Sequence, residues 1–107
     1  MLTQENLILT RAEPNGDGGL QFLYRVGNYG VAAISRPQEE VAMINWEMDI
    51  IKYLDPQKVK FELCQSTKLG DKTLVFQNDH SANDFLGKAF EYFKELNQLE
   101  GMLPEQN

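Results

Sequence analysis

The 107 residues carry sixteen acids against ten bases, a net charge of −6, and are 42% hydrophobic with six Phe, four Tyr and one Trp. That is one domain's length with enough apolar mass for a core, which argues against a disordered chain. The acidic balance disfavours direct nucleic-acid binding, which needs clustered Lys and Arg. A single cysteine, Cys64, excludes an internal disulfide and a cysteine-based zinc cage.

No apolar run approaches the ~20 residues that cross a bilayer. Met1–Asn6 has neither a basic nor an apolar stretch, so no signal peptide is expected and the cytoplasm is the simplest compartment. One domain over residues 1–102 is expected, followed by a flexible tail, 103–107.

Leu7-Ile8-Leu9-Thr10 is a short strand candidate, followed by the six turn formers Pro14-Asn15-Gly16-Asp17-Gly18-Gly19. Leu20, Phe22, Tyr24 and Val26 alternate with Gln21, Leu23 and Arg25 and predict a second strand. Gly27-Asn28-Tyr29-Gly30 reads as a turn, with Val31–Ile34 continuing as a third strand and Arg36–Glu40 as the next connection.

Val41–Leu54 supports two readings. Ile44, Trp46, Met48 and Ile50 alternate with Asn45, Glu47 and Asp49, a strand signal. Pro37 followed by Gln38, Glu39 and Glu40 has instead the form of a helix start. The strand is favoured because it sorts the side chains cleanly into two faces, whereas a helix places Glu47 among apolar neighbours.

Asp55-Pro56 breaks the chain. Val59, Phe61 and Leu63 alternate with Lys58, Lys60 and Glu62 in a strand expected to be wet on one face. That phase puts Cys64 with the lysines, whose charge could lower its pKa, although an incidental structural cysteine is the plainer expectation. Thr67–Lys72 reads as a turn and Thr73–Phe76 as the last strand.

Ser81–Leu99 then predicts one amphipathic helix. At 100° per residue, Phe85, Leu86, Ala89, Phe90, Tyr92, Phe93, Leu96 and Leu99 occupy roughly half the wheel. Only Asn97 and Glu100 intrude on that side. Asn78, Asp79 and Ser81 are N-cap candidates and Gly101 a C-terminal stop. A stripe this broad suits a helix lying on a sheet. The expected fold is α+β: an antiparallel β-meander of about five or six strands with the C-terminal helix packed on one face.

The chemistry-bearing residues form no catalytic constellation. His80, the only histidine, could share a helix face with Asp84, but a metal site needs further ligands and none is nominated. Asp79, His80 and Ser81 have the residue types of a hydrolase triad without a Gly-x-Ser-x-Gly elbow. Asn15–Gly19 lacks the spaced acids of a calcium loop, and a hairpin turn is the simpler reading. No metal and no cofactor is expected. Tyr24, Tyr29, Trp46, Glu47 and Asp49 are the candidate binding residues: the aromatics, with Tyr53 and Phe61, as interface anchors where they lie on the sheet face away from the helix, Tyr29 as an exposed ring in a glycine turn, and the acids as a pair at i and i+2. Core packing is the plainer role for Trp46, and a solvated face the plainer reading of the acids.

The run Tyr24-Arg25-Val26-Gly27-Asn28-Tyr29-Gly30-Val31, followed by Asn45-Trp46-Glu47-Met48, resembles small uncharacterised phage and prophage proteins. Those show an aromatic strand, an Asn-Gly-Tyr-Gly turn into a small-residue strand, a Trp-Glu strand and a C-terminal helix. Here the first two turn residues are in the opposite order. The resemblance covers Phe22–Met48 and the layout of the closing helix. It implies a strand over Ala42–Ile51 and a mobile-element origin, and no activity.

The functional expectation is a non-enzymatic binding or accessory domain. Its partner is another protein or a second copy, met through a sheet edge or the face away from the helix. Two alternatives remain. One is an acidic decoy inhibitor of a nucleic-acid-binding defence protein, with Glu39, Glu40, Glu47 and Asp49 on one surface. The other is a small-molecule-binding domain or enzyme whose sheet face holds Tyr24, Trp46, Glu47 and Asp49 around a pocket.

Overall fold

The computed structural model describes residues 1–16, 18–37, 44–64 and 72–102. Expectations resting on Asp17, on 38–43 (including Glu39 and Glu40), on the 65–71 part of the turn and on the tail 103–107 lie outside the described residues. The elements are β1 (Leu7–Ala12), β2 (Leu20–Val26), β3 (Tyr29–Pro37), β4 (Ile44–Tyr53), β5 (Phe61–Leu63), β6 (Leu74–Phe76) and α1 (Asp79–Met102). All strand pairings are antiparallel; β1 to β5 run in order and β6 also pairs with β4. This is the expected α+β meander with one closing helix.

β5 and β6 share one edge of β4. Leu63 faces Ile51 and Leu74 faces Met48, so three steps on β4 are matched by eleven on the other side. β5 and β6 therefore pair with two neighbouring stretches of the same β4 edge. The strand expected over Val59–Leu63 shrinks to Phe61–Leu63.

Ile44–Tyr53 is a strand along its whole length, which settles the alternative for these residues. From Asn45 on, its even-numbered residues face the helix and its odd-numbered ones face away, because the side-chain period of a strand is two. The main core joins Tyr24, Val31, Ala33, Trp46, Met48 and Ile50 from the sheet to Ala82, Leu86, Ala89, Phe90 and Phe93 from α1. Ring contacts run along this interface: Phe22 with Trp46, Tyr24 with Phe90, Tyr29 stacked on Phe93, and Phe76 with Phe85.

The expected Gly27–Gly30 turn is shorter than its sequence suggests. Val26 pairs with Tyr29, leaving Gly27 and Asn28 as a two-residue loop. Gly27 alone in it has positive φ, +63°, the pattern of a type II′ hairpin. Tyr29 and Gly30 thereby join β3.

α1 exceeds its expected span at both ends. Asn78 caps it, its Oδ1 accepting from Ser81 N at 2.8 Å. The helix passes through Gly101 to Met102, held there by the two polar residues that interrupt its apolar stripe. Asn97 Nδ2 donates to Val26 O at 2.8 Å, and Asn97 Oδ1 accepts from Asn28 N at 3.2 Å. Glu100 accepts from the Tyr29 hydroxyl and from Asn28 Nδ2. Both grip the β2–β3 turn: Asn97 meets its backbone polar groups, which need partners once the helix covers them, and Glu100 meets its side chains.

Asn97→Ala is expected to cost about 1–3 kcal/mol by leaving Val26 O and Asn28 N without these partners. A lower urea midpoint with an unchanged slope would show it; an unchanged midpoint would mean that water replaces the amide.

Candidate functional site

The β4 alternation divides the candidate binding residues between opposite faces. Tyr24, Tyr29 and Trp46 lie on the helix face and are buried, with Tyr24 wholly inaccessible and Tyr29 and Trp46 at 7% and 5% exposure. Tyr29 was expected as an exposed aromatic and is a core residue instead. The tight turn brings it into β3, where its ring stacks on Phe93 at 5.9 Å and 17°.

The Tyr24 hydroxyl donates to Thr3 O at 2.7 Å, and burial pushes its pKa up to about 12. Tyr29 is also raised to about 12, first by burial and then by its hydrogen bond to Glu100. Both are therefore neutral hydroxyl donors at ordinary pH.

Trp46 is anchored by its indole Nε1, which donates to Asp79 Oδ1 at 2.8 Å. The other oxygen of Asp79 takes the Met1 amine. These two bonds, the amine's larger than the indole's, hold the Asp79 carboxyl below the usual carboxylate range. A carboxylate whose folded pKa is lowered stabilises the fold above its ordinary pKa, and that contribution is lost as pH falls through the folded value. Strong acidification should thus loosen the Trp46 corner, and Asp79→Asn should flatten the dependence of the denaturation midpoint on acid pH. Fluorescence of the sole tryptophan reads the corner directly; identical pH profiles for the two proteins would remove Asp79 from the account.

Glu47 and Asp49 lie on the face away from the helix, both partly buried. Tyr24 and Trp46 are on the other side of the sheet, so these four residues do not line one pocket. The surroundings of the acids follow from register. Ile34 and Val75 flank Glu47, and Ala32 lies beside Asp49. Asp49 Oδ1 accepts from Thr73 Oγ1 at 2.6 Å, just where the chain re-enters the ladder as β6.

That outer face carries a feature the alternation of β2 did not reveal. Leu23, Ala32, Ile51 and Tyr53 form a second buried cluster there, flanked by Leu9 and Phe61. Tyr53 roofs it: its hydroxyl donates to Tyr24 O at 2.9 Å, its ring meets Phe61 edge-on, and the Arg25 guanidinium lies 4.4 Å above it. The middle of the outer face is therefore closed by its own side chains. Two fully buried apolar residues, Leu23 and Ile51, were readable only as members of mixed polar–apolar faces.

Beside the closed cluster, the described residues of the β5–β6 margin leave apolar side chains exposed on the same face. Leu63, opposite Ile51, is 59% exposed, and Val75, opposite Glu47, is 56% exposed. Leu63 and Val59 were expected to turn inward. The register places Leu63 on the outer face, and Val59 precedes the strand. Cys64, one step out of phase, goes instead to the helix-side core and is buried.

His80 is exposed and faces Asp84 at 3.5 Å. Among the described residues no group of three His, Cys, Asp or Glu could hold a metal ion, and no helix among them is long and apolar enough to cross a membrane. Comparison with protein-family models, curated proteins and solved structures found no match.

Proposed function

We propose that this is a protein-binding or accessory domain that receives its partner on the outer sheet face, along the β5–β6 margin. One observation carries the reading: Leu63 and Val75 are each more than half exposed in the same outer line of that face. The closed cluster lies on one side of them, and Glu47 and Asp49 lie alongside on β4. Exposed apolar side chains rimmed by polar ones are the form of an association surface. The acids suit a partner that brings Lys or Arg to the same place. A phage or prophage origin belongs to this reading, through the likeness of Tyr24–Val31 and Asn45–Met48.

The test compares wild type with Leu63→Arg/Val75→Arg in light scattering and in cross-linked pull-downs from the source cell. Both positions are exposed, so the fold should persist with little change in stability. Association with a defined partner or a second copy is expected for wild type and lost in the variant. A monomeric wild type that recovers no partner, or a complex indifferent to the double substitution, would overturn the proposal.

A further inference from the structure

We draw no further inference here: the strongest candidate, the exposed apolar margin of Leu63 and Val75 beside Glu47 and Asp49 on the outer sheet face, belongs to the surface already described, and nothing in the structure shows what covers it.

Discussion

Phe93→Asp is expected to abolish the cooperative unfolding transition altogether. Phe93 is fully buried at the centre of the helix–sheet interface, stacked on Tyr29 and touching the ring of Tyr92. Removing the ring alone, as in Phe→Ala, costs about 3–5 kcal/mol through lost transfer energy and the cavity left behind. A carboxylate there adds a charge with no partner, whose burial costs several kcal/mol more. A chain of this length has a total stability of about 5–15 kcal/mol, so the two effects together consume most or all of it. Heating while following circular dichroism should show a gradual, non-cooperative change. Phe93→Leu, which keeps an apolar side chain, should retain a sharp transition at a lower temperature. A cooperative transition near the wild-type temperature for Phe93→Asp would refute the packing of α1 on the sheet.

The fold was legible because its two periodicities are strong. Alternation in β2 and β4 and the half-wheel of apolar residues in α1 require a sheet and a helix lying on it. The same alternation also contains the division of Trp46 from Glu47 and Asp49, which follows from odd and even numbering on one strand. What period could not supply was which residues of a mixed face end up covered. Leu23 sits among Gln21 and Arg25, and Ile51 shares its face with Glu47 and Asp49. Their burial depends on Tyr53 and Phe61, which come from a different part of the chain.

Asn97 and Glu100 show the same limit from the other side. In sequence they are flaws in an apolar stripe. In the structure they are the partners of the Val26 carbonyl, the Asn28 amide and the Tyr29 hydroxyl. A polar residue on an apolar helix face is a signal that the surface beneath offers polar groups to satisfy. For the outer margin, Val59, Phe61 and Leu63 have the pattern of a buried strand face, but α1 packs over β2, β3 and β6 on the opposite side. Alternation shows that two faces differ without saying which one the helix covers.

Gly30→Ala should be the most damaging small substitution in the sheet. A Cβ at Gly30 would lie 1.9 Å from Tyr24 O and 2.7 Å from Tyr53 Cε2. The first obstacle is backbone, so no rotamer change relieves it and β2 and β3 must separate. Moving Tyr24 O also removes the acceptor of the Tyr53 hydroxyl and disturbs the ring that closes the outer cluster. Overpacking costs about 1–3 kcal/mol where neighbours can yield, and here the neighbour is a ladder carbonyl, so about 3 kcal/mol or more is expected. At about 4 °C per kcal/mol for a domain this size, that lowers the melting temperature by roughly 10 °C or more. Tyr53→Phe separates the two contributions: it keeps the ring over Gly30 and deletes only the hydroxyl, so about 1–2 kcal/mol should be lost. If Gly30→Ala cost no more than Tyr53→Phe, the close approach of strand, carbonyl and ring at Gly30 would not be what holds this face shut.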